Sequence, residues 1–283
     1  MRRPHLPLAH STPPNGLVVA VLTFVVLAST AVDHQARGDD PATLVCPGFF
    51  AQHLQGVAAS SEAIYWSFTD ELVKTDLQGR LATVHRVKSH HGDLVHHDGR
   101  VYVAVNFGRF NDSQGRADSW IYVYRADDLA FVSKHATPQV IYGAGGIATD
   151  GKRFLVVGGL PADIDENYVY EYTLDLQFVG KRTLSSGQTD VGIQTAAFAQ
   201  GKWWFGCYGG ELLVADRSWK LIGKFDFDCS LGVLRRPDGR FWVGRGGNVA
   251  NNGLTGKLVA AVADSQQGLV LVPRRGAEAS DGK

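Results

Sequence analysis

A pattern that returns about every 40 to 50 residues constrains what this chain can fold into more than any other feature it has. A small polar cluster leads into an apolar strand-like run, an Asp-Gly-type turn, an aromatic-rich strand and two weaker strands. It reads HLQGVAAS and AIYWSF from His53, HHGDLVHHDGRVYVAV from His90, GAGGIATDGKRFLVVG from Gly143, GIQTAAFAQGKWWFGC from Gly192 and CSLGVLRRPDGRFWVG from Cys229. A four-stranded unit of this kind cannot bury both faces until neighbours stack against it, so the repeat predicts the blades of an all-β single propeller. Five four-stranded blades are expected, with Leu44 to Phe50 as a segment that adds a strand to close the ring, or six if the chain holds a further degenerate blade.

The turns support this division. Asp98-Gly99, Asp150-Gly151 and Asp238-Gly239 sit between apolar runs, and Gln200-Gly201 replaces the pair in the fourth unit. Such pairs tolerate positive φ and are the strongest short-range hairpin signal. The 33 glycines exceed the roughly 7% of an average chain, while charged residues are not depleted, which suits many tight turns rather than disorder.

Outside the repeat, Arg2 and Arg3 precede an apolar run from Leu17 to Ala28 and then Ser29-Thr30-Ala31. That order predicts a secretory signal peptide over 1–31, cut after Ala31, followed by a linker over 32–43, the propeller over 44–273 and a disordered tail over 274–283. The expected location is extracytoplasmic, periplasmic or secreted, with no membrane span after cleavage, because the apolar run is short for a bilayer. The chain is expected to be monomeric. A net charge of zero and the absence of a basic stripe argue against nucleic-acid partners. Cys46, Cys207 and Cys229 would lie in an oxidising compartment, and the ends of adjoining units could pair Cys207 with Cys229.

In a propeller the innermost strand of each unit starts, and the second ends, on one face beside the axis. Three long connections are expected there, Phe107 to Ser119, Gly159 to Asn167 and Gly246 to Gly256, and long loops on a rigid scaffold concentrate binding residues. The cluster Ser89-His90-His91-Gly92-Asp93, with His53 one unit earlier, offers an imidazole beside a carboxylate for acid-base chemistry. His91 and His53 are the candidate catalytic groups and Asp93 the orienter. His90, Gln55, Asn106, Gln194, Tyr208, Arg245 and Trp120 are the candidate ligand contacts, Arg245 as a guanidinium clamp and the aromatics for stacking on a sugar. No cofactor is expected; a metal at His53, His91 and Asp93 is the alternative. Trp66, Trp203, Trp204 and Trp242 read as core residues, and the oxygens of Asn111, Asp112 and Asp118 fail the helix-loop-helix calcium spacing.

Over roughly Gln52 to Val272 the chain resembles secreted bacterial β-propellers of the broad YWTD/NHL-like kind. The resemblance rests on the DGRVYVA-like and DGKRFLVV-like segments and on IYWSFTDELVKTDLQGR, in which the Tyr-Trp-Thr-Asp tetrad is not intact. It implies the propeller shape and leaves activity open, since such proteins include sugar binders, lactonases, lyases, glycosidases and interaction modules. The functional expectation is a small polar ligand of carbohydrate or uronic-acid type at the channel mouth, with hydrolase or lyase chemistry as an option. The alternative is a non-catalytic protein-interaction module of the cell envelope.

Overall fold

The computed structural model describes residues 42–273; the expected signal peptide, nearly all of the linker, and the tail lie outside the described residues. The first strand, β1 (Thr43–Val45), stands apart from the repeat. Then come β2 (Gly56–Ala59), β3 (Ala63–Asp76), β4 (Leu81–His97), β5 (Arg100–Asn106), β6 (Ser119–Arg125) and β7 (Phe131–Ala136), which form one six-stranded sheet in chain order. A second sheet holds β8 (Ala144–Thr149), β9 (Phe154–Gly158), β10 (Asn167–Tyr172) and β11 (Phe178–Leu184), and a third β12 (Ile193–Ala199), β13 (Lys202–Cys207), β14 (Glu211–Ala215) and β15 (Leu221–Asp226). The fourth holds β16 (Val233–Arg235), β17 (Phe241–Val249), β18 (Gly253–Asp264) and β19 (Gly268–Leu271), with β1 added beside β19 on the free edge of β18.

The described strands thus form a β-propeller of four hydrogen-bonded sheets, which corrects the expected five or six separate blades. The cause is β4. Its first half pairs with β3 and its second half with β5, so one continuous strand is the outer edge of the unit at His53 and the inner strand of the unit at His90. Within this sheet β3 folds back on itself near Thr69, because Trp66 Nε1 donates to Thr75 Oγ1 at 3.2 Å. Nine residues of straight strand would hold those groups roughly 30 Å apart.

Five inner strands from these four sheets meet around the axis. β2 touches β4, β4 touches β8, β8 touches β12, β12 touches β16, and β16 returns to β2. Between the units lie apolar wedges. Leu54, Trp66 and Phe68 meet Trp242 and Leu258 in one, Trp203 and Phe205 meet Leu155 and Val157 in another, and Trp204 meets Phe241 in a third. Trp66 and Trp203 are fully buried, and each such side chain contributes about 2 to 3 kcal/mol of hydrophobic stabilisation. The three cysteines are buried and free, so the Cys207–Cys229 bridge that the sequence allowed is not formed.

The expected loop over Gly246 to Gly256 is instead a hairpin arm. Gly246 pairs with Gly256, Gly247 with Thr255 and Asn248 with Leu254, closed by a turn in which Asn251 takes φ +68° and Gly253 φ +117°. Phe50 braces this arm from the chain start, exchanging two backbone hydrogen bonds with Leu254 (2.8 and 2.9 Å) and stacking on Phe68 at 3.6 Å between ring centres.

Candidate functional site

The mouth of the axial channel on the face where β5, β9 and β13 end holds a cavity of about 260 Å³. His53, Gln55, His90, Asn106, Gln194 and Tyr208 line it, together with Phe110, Asn111, Val191 and a floor that includes Gly92, Ala144 and Gly145. The small floor residues let the inner strands close on one another. A Cβ on Gly92 would fall 2.3 Å from the Gly145 carbonyl oxygen, and one on Gly145 would stand 3.1 Å from that of Ile193.

His53 and His90 come from consecutive units and meet across Gln55. The Gln55 amide nitrogen lies 2.8 Å from His53 Nε2, 3.2 Å from His90 Nε2 and 3.1 Å from Thr69 Oγ1. An amide nitrogen carries two hydrogens, so three acceptors compete for them. Thr69 gives its own proton to the His53 carbonyl at 3.4 Å. Both imidazoles reach solvent at the rim, yet their cavity sides are desolvated, which lowers both pKa values; His53 adds a smaller repulsion on His90. Near neutral pH both rings are therefore uncharged.

Gln194 is 6% exposed, and its amide nitrogen donates to the Val191 carbonyl at 2.9 Å, which turns its Oε1 toward the Gly145 floor. Asn106 holds a loop instead of offering a clamp: its Oδ1 accepts from Gly108 and Asp118 (3.3 and 2.9 Å) and its Nδ2 donates to Gly108 O. Tyr208 opens a single 3-10 turn over Tyr208–Gly210 and places its ring on the wall. Strained backbone gathers here. Thr69 and Val191 take φ of +46° and +48°, conformations costing β-branched residues about 1 to 3 kcal/mol, which persist where the surroundings over-determine them, and Asn111 takes +58°, which an asparagine tolerates.

Four of the residues expected at the site lie elsewhere. His91 is fully buried, donates from Nδ1 to the Lys88 carbonyl and accepts at Nε2 from Tyr124 Oη, both at 2.7 Å. Burial lowers its pKa to about 4. The expected His91–Asp93 couple is not formed, because the register shifts between His91 and Leu94 and separates two side chains that a regular strand would set on one face. Asp93 lies at the channel waist, 1% exposed, where Oδ2 accepts from the Ala196 N–H across the axis at 3.0 Å and Oδ1 has no partner. Burial, outweighing backbone hydrogen bonds from Ala196, Leu94 and Val57, raises its pKa well above the carboxylate range.

Arg245 belongs to the hairpin arm, with Nη1 donating to the Gly244 carbonyl at 3.0 Å and its guanidinium over Phe227. Trp120 donates to Asp118 Oδ1 at 2.7 Å beneath the Lys134 ammonium. Asp112 is taken by Arg116 and Asn111 Oδ1 by the Leu160 N–H, so the loop oxygens do not converge. Among the described residues, no group of three or more His, Cys, Asp or Glu side chains has metal-binding geometry. Phe110, Asn111 and Val191 are site residues that the repeat pattern did not mark; Phe110 and Asn111 lie in the long connection after β5.

No family model and no curated protein matches the chain. Among solved structures, the glutaminyl cyclase of Myxococcus xanthus aligns over 82% of this chain and 98% of its own, with a TM-score of 0.56 at 11% identity. A chain of a nidogen/laminin complex gives 0.47 at 11% identity over 67% of this chain and 71% of its own. A protein of unknown function from Bacteroides caccae gives 0.46 at 14% identity over 72% and 82%. The first of these likenesses is one of fold, and the fold it shares is the propeller.

Proposed function

We propose that this protein is an exported propeller that binds a small polar ligand of carbohydrate type in the channel-mouth cavity. The observation that carries this reading is the convergence of His53, Gln55, His90, Gln194 and Tyr208, drawn from separate repeat units, on one 260 Å³ space where Gln55 serves more acceptors than it has hydrogens. A ligand hydroxyl relieves that shortage by donating to the acceptor left unserved. Phe110 supplies an apolar wall for a sugar-ring face. Any acid-base step here falls to His53 or His90, since both nitrogens of His91 are engaged elsewhere.

A thermal-shift series over mono- and oligosaccharides tests the site, because a ligand that binds the native state raises the melting temperature by mass action. We expect the rise in the wild-type chain and its loss in Gln55→Leu and His90→Ala. A rise that survives both substitutions places binding elsewhere. A second reading, a protein-interaction module, draws on the exposed Phe131 and Val132 of β7 and Phe178 and Val179 of β11. Cross-linked partners from an envelope fraction should then disappear in a Phe131→Ser, Val179→Ser variant.

A further inference from the structure

The cavity's hydrogen-bonding groups and its lack of charged side chains together bear on the chemistry of the ligand. Gln194 is fixed by its own neighbours: its amide nitrogen is held at Val191 O, 2.9 Å away, with Gly192 O at 3.5 Å. The orientation of the amide is thereby set, and Oε1 presents an acceptor at the cavity wall. Gln55 presents a second amide oxygen, and whichever of His53 Nε2, His90 Nε2 and Thr69 Oγ1 its two hydrogens do not reach is a third acceptor. Beside these stand the two hydrogens of the Asn111 side-chain nitrogen and the one of the Tyr208 hydroxyl, neither group bonded to another described residue, so the lining offers donors as well as acceptors, as a hydroxyl-rich ligand requires.

Charge points the same way. Among the described residues lining the cavity there is no Lys, Arg, Asp or Glu, and the guanidinium of Arg245 is turned onto Phe227. Asp190 lies beside the turn that carries Tyr208, with its Cβ 3.3 Å from where a Cβ on Gly209 would stand. A carboxylate, sulfate or phosphate brings acceptors only. It would find no cation in the lining and would leave the Gln194 oxygen unserved, at the cost of its hydration.

We infer that the ligand is an uncharged, hydroxyl-rich molecule with a neutral sugar or cyclic polyol as its chemical type, and that Gln194 is the residue that selects it. The inference rests on the proposed binding role of this cavity and narrows the ligand from the sugar or sugar acid that the sequence suggests. A buried acceptor aimed into the cavity accepts from a ligand O–H, rejects a carboxylate, and leaves an ammonium without a counter-charge.

The test is isothermal titration of the full exported chain with sets of sugars that differ only in charge: D-glucose, D-glucuronate and D-glucosamine, then D-galactose, D-galacturonate and D-galactosamine, then myo-inositol and myo-inositol phosphate. In the wild-type chain we expect at least one neutral member to bind and its charged counterparts to bind at least about tenfold more weakly, the effect of one unpaired buried polar group. Gln194→Met keeps the length of the side chain and removes the acceptor, and should weaken the neutral member by about tenfold. Gln194→Glu, the isosteric anion, should not recover an acidic sugar.

Stronger binding of an acidic or amino member than of its neutral parent overturns the inference while leaving the cavity a ligand site. Neutral binding that Gln194→Met leaves unchanged overturns the role of Gln194. Absence of heat from every member overturns the binding reading of the cavity itself, and the inference with it.

Discussion

His91 shows how far a single residue type can be read. An imidazole two positions from an aspartate on a predicted strand suggests a catalytic couple, yet here both ring nitrogens are spent inside a wedge, on Lys88 O and Tyr124 Oη. Replacement by alanine removes two buried hydrogen bonds and an aromatic-sized volume, so His91→Ala should cost about 3 to 4 kcal/mol in urea unfolding while leaving the proposed ligand affinity at the mouth within about twofold. Lost affinity in a variant that is still folded would return His91 to the site. His53, Gln55, His90, Gln194 and Tyr208 were legible because propeller topology assigns the starts of inner strands and the ends of second strands to one face. Phe110 and Asn111 were legible only as members of the long connection expected on this face, and Val191 not at all, since all three sit on irregular backbone whose course is set by tertiary bonds such as Asn111 N–H to Tyr142 O.

At the scale of elements, strand existence was read more faithfully than strand extent. The Asp-Gly turns fall where expected, and Asp98-Gly99 takes φ of +46° and +68° as a type I′ hairpin requires. Two elements ran past their expected limits for reasons that are not local. β4 continues through Ser89 because its two halves find different partners, β3 and β5. The Gly/Asn-rich stretch after Gly246 forms a ladder because Phe50, nearly 200 residues earlier in the chain, closes over Leu254 and Phe68. The brace has a measurable consequence. Phe50→Ala should lower stability by about 3 to 4 kcal/mol, and amide exchange over 246–256 should quicken more than exchange in β8–β15. Uniform acceleration across the chain would mean that Phe50 is an ordinary core residue and not the clasp of the arm.

At the scale of the whole molecule, the channel waist joins the separate sheets through one carboxyl group. Asp93, on β4, accepts the N–H of Ala196 on β12 at 3.0 Å and lies against β2, where a Cβ on Gly56 would fall 2.1 Å from its Oδ1, which has no partner. The inner strands around it carry nothing to neutralise it: β2, β8 and β12 read GVAA, AGGIAT and IQTAAFA, Arg235 at the end of β16 is exposed, and the nearby Cys229 thiol is itself pushed up by burial. A carboxyl so placed keeps its proton in the folded chain and loses it in the unfolded chain near pH 4, so the folded state binds the extra proton. Stability from this group is full below pH about 4 and falls as the pH rises toward the folded pKa. The histidines work in the opposite sense. Folded His53, His90 and His91 have lowered pKa values, so their stabilising effect is present above pH about 6.5 and is lost as the pH falls; His91, with a folded value of about 4, alone accounts for about 3 kcal/mol. The two opposed slopes predict a maximum of stability near neutrality, with Asp93 governing the alkaline side. In Asp93→Asn the amide retains an acceptor for the backbone N–H groups and cannot ionise, so urea unfolding free energies measured from pH 5 to 9 should lose the alkaline decline and keep the acid one. An alkaline decline of equal slope in both chains would show that Asp93 is already ionised in the folded state, and that the channel waist tolerates a bare charge.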